Sequence, residues 1–195
     1  MRVLLHTCCG PCACACVPRL KAEGHNVALF FSNSNLDTEE EFARRAAAAR
    51  VLAEADDVPI VLDAYDHALW LADVAAGFEH EPEKGRRCDR CFRFSLMRTF
   101  EYAASNGYEA VATSLTVSPH KVSARVFAAG EDAAWCCATK SCGGSAAAAP
   151  LLLKEDFKKK DGFKHSLARA AELGLYRQSY CGCEFSHAAR NVLHE

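Results

Sequence analysis

No stretch of the chain approaches the roughly 20 consecutive apolar residues that an α-helix needs to cross a bilayer, so a helical membrane span is excluded. The opening MRVLLHTCC holds an apolar run of only three residues before a His, too short for a signal peptide, and a cytoplasmic protein is expected. Neither sign of charge dominates: Lys and Arg number 23 against 25 Asp and Glu, a net charge of -2. The balance gives no strong nucleic-acid signal, although a local basic patch can suffice for one. Internal repeats are absent, so the chain is not an array of small units. Cysteine is too sparse for a disulfide scaffold: 12 in 195 residues, about 6%. The chain is also too long for one. What is present is an ordinary globular balance, 50% hydrophobic and 25% charged, in a length suited to a single domain over residues 1–195.

Short apolar runs alternate with helical patterns. RVLLH (2–6), VALFFSN (27–33), VPIVLD (58–63), EAVATSL (109–115) and part of PLLLKEDF (150–157) read as buried strands. CVPRLKAEGHN reads as a helix closed by Gly24, and EEEFARRAAAARVLAEAD as an Ala-rich helix capped by Asp37 or Thr38. DHALWLADVAAG is a short helix, and a long amphipathic helix runs from Cys88 to about Ser105. Ser118-Pro119 suits the start of the helix over SPHKVSARVFAAGEDAAWC. KKKDGFKHSLARAAELGL gives a turn and a helix, and a short helix is expected after the Cys-rich turn near the end. Strands alternating with helices predict an α/β fold, a Rossmann-like doubly wound parallel sheet of about five strands. Sites in such sheets lie at the carboxyl edge of the strands. Cys8, Cys9 and Cys12 follow the first strand there, and TSLTVSPHK follows the fourth at the same edge.

The cysteines form three groups: Cys8/Cys9/Cys12, Cys88-x-x-Cys91 and Cys181-x-Cys183. A Cys-x-x-Cys at a helix start lets two thiolates face one ion with help from the helix dipole. Gly182 permits the tight turn that brings Cys181 and Cys183 together. Cys9-Gly10-Pro11-Cys12 spells a thioredoxin-type dithiol, but disulfide exchange has no use for two further cysteine groups. A structural zinc site over the two Cys-x-x-Cys pairs stays open. The three groups supply seven sulfurs where zinc takes four ligands, and this surplus favours an iron–sulfur cluster, with room for a second metal. Cys14 and Cys16 read as buried small apolar residues. Cys136, Cys137 and Cys142 sit in WCCATKSCGGSAAAAP (135–150), a loop-like insertion, with free-thiol or metal roles both open.

Together, LLHTCCGPC, FFSNSNLDTEEEFARR, EPEKGRRCDRCFRFSL, ATSLTVSPHK, DFKKKDGFKHS and LYRQSYCGCEFS resemble the QueH-type epoxyqueuosine reductases, in the family's order and over nearly the whole chain. The resemblance implies an oxidoreductase for the last step of queuosine synthesis. Its substrate would be epoxyqueuosine at the wobble position of a tRNA anticodon. Two electrons and two protons would remove the epoxide oxygen as water, without cobalamin. It further implies a [4Fe–4S] cluster, an adjacent mononuclear metal read as iron, and an external electron donor. The matching cysteines are Cys8, Cys9, Cys12, Cys88, Cys91, Cys181 and Cys183. Their partition is open, except that Cys12 is assigned to the mononuclear site. Some relatives carry Asp there, and carboxylate suits a harder ion. Departures from the family pattern are Cys14, Cys16 and segment 135–150.

The reaction needs a proton donor beside the departing oxygen. Asp156, His120 and Tyr180 are the candidates within the matching motifs, while His6 reads as a packing or orienting residue. Lys121, Lys158, Lys159, Lys160 and Arg177 are candidates for tRNA phosphate, and Tyr176 or Tyr180 for stacking on an unstacked base. Arg86 and Arg87 would neutralise an anionic cluster or meet phosphate. The competing readings are a thiol–disulfide oxidoreductase using Cys9 and Cys12, and a zinc-stapled RNA-binding module.

Overall fold

The structure, a computed structural model, describes residues 1–139 and 149–186. Cys142 and the short helix expected near the end lie outside the described residues. Five strands, β1 (Arg2–His6), β2 (Asn26–Phe31), β3 (Ile60–Leu62), β4 (Ala110–Thr113) and β5 (Leu151–Leu152), pair in the order β3-β2-β1-β4-β5. All four pairings are parallel, as the alternation of strands and helices predicts.

Period-2 geometry sends successive side chains to opposite faces of the sheet. Val3, Leu5, Val27, Leu29, Ala110 and Ala112 enter one core. Leu4, Ala28, Phe30 and Val111 enter the other. Helices α1 (Gly10–Ala13), α2 (Cys16–Ala22) and α7 (Gly162–Glu172) bring residues such as Ala13, Val17, Leu20 and Ala170 to the first core. Helices α5 (Arg86–Ser105) and α6 (Ser123–Thr139) cover the second with Leu96, Phe100, Val126 and Ala133. A sheet buried on both faces explains why its strands read as continuous apolar runs.

Helix α3 (Glu39–Ala55) is capped by Thr38, whose hydroxyl accepts from the Glu41 amide at 3.1 Å. Its Ala46–Ala49 stretch lets α1 come close. A Cβ on Gly10 would lie 2.6 Å from the Ala48 carbonyl oxygen, so the position after Cys9 tolerates no side chain. Helix α4 (His67–Trp70) continues into a π-helical turn, Leu71–Ala75.

The helix read over CVPRLKAEGHN is α2, followed by Gly24 at φ +79°, and a short helix that the sequence did not announce, α1, precedes it. One local expectation changes. The Ser118-Pro119 pair does not start α6. A 3-10 turn over Ser114–Val117 follows β4, and Ser118 is extended at φ -66°, ψ 127°, as a residue before proline favours. Helix α6 begins only at Ser123. The intervening turn carries His120 and Lys121 to the carboxyl edge of the sheet.

Candidate metal centre

The strand order reverses beside β1, which pairs with β2 on one side and β4 on the other. Crevices form outside the carboxyl ends of strands at such a point. A cavity of about 640 Å³ opens there, with Cys8, Cys12, Cys88, Cys91 and Cys181 in its wall.

The floor is set by the residues that end the strands. His6 is buried; its Nε2 lies 3.3 Å from the Ser32 carbonyl and its Nδ1 2.9 Å from Thr113 Oγ1. A carbonyl only accepts, so Nε2 carries the proton and Nδ1 receives the threonine hydroxyl. Burial lowers the basicity of the ring, which stays neutral. His6 thus ties β1 to β2 and β4 just below the cysteines.

The Sγ atoms of Cys8, Cys9 and Cys12 all lie within 4.8 Å of one another. The chain folds this way because Cys9 caps α1, its sulfur accepting from the Cys12 amide at 3.4 Å. Ser114, at the end of β4, holds Cys8 through its hydroxyl: Cys8 N donates to Oγ at 3.1 Å, and Oγ donates to Cys8 Sγ at 3.4 Å. Gln178 Nε2 donates to Cys9 Sγ at 3.2 Å. The hydrogen bonds from Cys12 and Cys9 hold the Cys8 thiol well below its usual range. Contact with Cys12 favours the Cys9 thiolate, but donation to Cys8 and burial prevail and push Cys9 up to about 12. Cys12 is raised by donation to Cys8 and Cys9 and by burial. One thiolate with two protonated donors is an arrangement a bound cation would convert to three thiolate ligands.

The second group comes from the start of α5 and the turn over 180–186. Cys91 and Cys183, with Phe94 and Phe185, pack against the buried cluster of Trp70, Val74 and Ala75. Burial, then the charge of Cys181, raises Cys91; burial also raises Cys88, and takes Cys183 to about 11. The Lys84 amide donates to Cys88 Sγ at 3.2 Å. Arg125 fixes that loop, donating to the Lys84 and Gly85 carbonyls and pairing with Asp89.

The Cys181-Gly182-Cys183 turn is anchored from α3. Arg45 Nη1 donates to the Cys181 carbonyl at 2.9 Å and Nη2 to the Tyr180 carbonyl at 3.4 Å, while Nε pairs with Glu41 at 2.7 Å. Gly182 has φ +137°, and a Cβ there would lie 2.4 Å from Leu36 Cδ2. Only glycine fits that turn.

Lys121 links the groups. Burial would lower its pKa, but the charges of Cys181, Cys8, Cys12 and Cys9 outweigh this and hold the ammonium charged. It lines the crevice that cysteines of all three segments share. Lys158 is a brace for this turn, donating to the Lys121 carbonyl at 2.7 Å and to Ser123 Oγ at 2.8 Å.

The other expected residues are placed as follows. His120 is exposed and lines the crevice, as does Arg177 at its rim. Tyr180 lines it too, but its hydroxyl donates to Asp37 at 2.6 Å; burial and that bond raise the phenol above its ordinary range. Asp156 is outside the crevice lining, with Lys158 Nζ 3.9 Å away. Tyr176 also lies outside, its hydroxyl on Glu41 at 2.9 Å and its ring under Arg44. Lys159 and Lys160 are exposed before α7. Arg87 is buried, holds the Phe78, Glu79 and Glu81 carbonyls and stacks on Phe185, and its charge favours ionised Cys88 and Cys183. Arg86 is exposed over Phe78.

Cys14 and Cys16 are buried in the first core, away from the crevice, with their thiols on the Gly10 and Cys12 carbonyls. Cys136 and Cys137 are buried on α6, Cys136 accepting from Arg93 at 3.3 Å. Ser114, Gln178 and Arg45 received no role from the sequence. All three lie in quoted motifs, but nothing in their type announces a contact with sulfur or with a cysteine turn.

Among the described residues no helix is long and apolar enough to cross a membrane. The family model described as Epoxyqueuosine reductase QueH matches residues 3–189. A relative of that name from Streptococcus pyogenes serotype M1 is 32% identical over 196 aligned residues, covering 97% of this chain and 72% of the relative. One from Acinetobacter baylyi is 31% identical, covering 95% and 80%. One from Thermotoga maritima is 27% identical, covering 98% and 93%.

Proposed function

Because the chain belongs to the epoxyqueuosine reductase QueH family and is an oxidoreductase of queuosine biosynthesis, we propose that it removes the epoxide oxygen of epoxyqueuosine in a tRNA anticodon. Two electrons and two protons convert the epoxide to the alkene of queuosine and water, without cobalamin. The 195 residues act as one cytoplasmic α/β domain. The observation that carries this reading is the convergence of cysteines from three remote segments on one crevice, with a charged lysine between them.

The donor set fits the expected cofactors. Thiolates are the ligands of iron–sulfur clusters. Cys88, Cys91, Cys181 and Cys183 would hold a [4Fe–4S] cluster. Cys8, Cys9 and Cys12, whose sulfurs cluster within 4.8 Å, would hold a mononuclear ion, read as iron. When bound, these groups supply electrons drawn from an external donor and a Lewis acid for the epoxide oxygen.

The chain's own residues do the rest. Lys121 offsets the negative charge that ionised cysteines bring to a desolvated crevice. His120 is the candidate best placed to deliver a proton, since the Tyr180 hydroxyl is engaged in a hydrogen bond to Asp37 and Asp156 lies outside the crevice. Arg177 at the rim, with Lys159 and Lys160, would meet phosphate. The crevice has room for an extruded nucleoside. Tyr180 offers a ring at the crevice for stacking, and Tyr176 does not.

Against thiol–disulfide exchange stands the burial of Cys9, 1% exposed and raised to about 12, since an attacking sulfur must be ionised and accessible. The test is anaerobic purification with iron, sulfide and zinc quantified, followed by epoxyqueuosine tRNA with a chemical reductant and nucleoside mass spectrometry. About four sulfides with four or five irons, and queuosine as product, are expected. Zinc without sulfide after anaerobic reconstitution would overturn the reading in favour of a zinc-stapled RNA-binding module.

A further inference from the structure

The wall beneath the second cysteine group holds a polar atom with no partner. Trp70 ends α4 and is 1% exposed. His67 stacks on its indole at 5.5 Å, and Cys91, Cys183 and Phe185 pack against it. The indole N–H makes no hydrogen bond among the described residues. Leaving a buried donor unpaired costs about 1–3 kcal/mol, and such an orphan calls for a reason. The position is a built one. Asp66 caps α4 through the Leu69 amide at 2.9 Å, and His67 Nδ1 is held by the Ser34 carbonyl at 2.9 Å. The Cys91 sulfur packs against the same buried cluster as the indole. A neutral thiol is a weak acceptor. A sulfur carrying negative charge is a far better one.

We propose that the Trp70 indole N–H donates to the Cys91 sulfur when Cys88, Cys91, Cys181 and Cys183 hold an iron–sulfur cluster, and so raises the reduction potential of that cluster. The inference rests on the reading of these four cysteines as cluster ligands. Hydrogen bonds to the sulfurs are one of the terms that set cluster potentials. A donor at the ligand sulfur stabilises the additional negative charge of the reduced state. Trp70 thereby eases electron entry from the external donor without touching the substrate.

Trp70→Phe keeps the ring in its slot and removes the N–H. Both proteins are reconstituted anaerobically at full length, their iron and sulfide measured, and their clusters titrated potentiometrically. The variant should bind the same iron and sulfide with a more negative potential. A tenfold loss in the reduction equilibrium would read as about 59 mV for one electron. A fully loaded variant with unchanged potential overturns the proposal and leaves the cluster reading standing. A second measurement needs no substitution. The chain has two tryptophans, and Trp135 is 65% exposed on α6. Protein carrying indole-15N tryptophan should show a 15N coupling to the reduced cluster by pulsed EPR, and its absence overturns the proposal. Wild-type protein that assembles no sulfide-containing cluster removes the premise, an outcome that iron and sulfide analysis tells apart from the others.

Discussion

Arg45→Ala is expected to destabilise the protein and to strip its cysteine turn of an anchor. Arg45 and Glu41 lie one turn apart on α3, with side chains 3% and 1% exposed. Truncating the arginine leaves Glu41 with the Tyr176 hydroxyl at 2.9 Å and the half-exposed Arg44 at 3.1 Å. Breaking one side of a buried ion pair costs about 3–5 kcal/mol. The two remaining partners place the cost near the lower end, about 3 kcal/mol. In a chain of this size each kcal/mol moves Tm by about 2–4 °C, so a fall of about 6–12 °C is expected. The double substitution Glu41→Gln with Arg45→Met separates two effects. Replacing a buried pair with matched uncharged groups is often near neutral, so Tm should largely recover. The Cys181 and Tyr180 carbonyls still lack their donor, so iron and sulfide content after reconstitution should remain low. Thermal unfolding of the metal-free protein under reducing, anaerobic conditions, with metal analysis of the reconstituted protein, checks both. An Arg45→Ala protein that melts within about 2 °C of wild type, against the shift per kcal/mol used here, and binds full iron would refute the reasoning.

Cys14→Ala and Cys16→Ala should each cost about 1 kcal/mol by leaving a small cavity in the first core, and should keep the full iron and sulfide of wild type. Loss of iron in either variant would return that cysteine to the metal centre. Lys158→Ala should leave the salt dependence of tRNA binding unchanged, because its ammonium is spent on the Lys121 carbonyl and Ser123. Arg177→Ala should lower the slope of log K against log salt by about 0.7–0.9, one phosphate contact. Binding isotherms at several salt concentrations distinguish the two, and equal slopes for both variants would remove Arg177 from the phosphate contacts.

The sheet was legible because its strands are buried on both faces and so appear as unbroken apolar runs between helical patterns. The edge at which the cysteines gather was legible too, from the position of Cys8 and Cys9 just past β1. The start of α6 was misread because Ser-Pro supports a helix start and an extended turn equally. The residue before proline favours the extended conformation, Ser118 takes it, and the chain turns through His120 and Lys121 before α6 begins. Lys158 in KKK reads as a solvated charge until the turn it braces is known. Ser114, Gln178 and Arg45 touch sulfur or a cysteine turn across sequence separations of 106, 169 and 136 residues, which no local pattern encodes.

That same separation bears on what metal does to the fold. Cys8, Cys88 and Cys181 stand at the mouths of chain loops roughly 80 to 90 residues long, a length at which closure is entropically costly but grows only slowly with further length. Burial, with the charge of neighbouring thiols, opposes ionisation of Cys88, Cys91 and Cys183, and donation to Cys8 and Cys9 together with burial opposes that of Cys12. Ligation reverses that term, since a metal binds the ionised form and releases the proton. A cluster on Cys88, Cys91, Cys181 and Cys183 would therefore relieve an unfavourable charge distribution and pin two remote segments at once. Metal binding to such a set would be linked to folding, and the 180–186 turn is one of the two segments it would pin. The turn is held to the rest of the protein by Arg45 on two carbonyls, the Asp37 amide on the Gly182 carbonyl at 2.9 Å, the Tyr180 hydroxyl on Asp37, and the packing of Cys183 and Phe185 against the Trp70 cluster. The arginine holds the turn in place, and a bound cluster would close it.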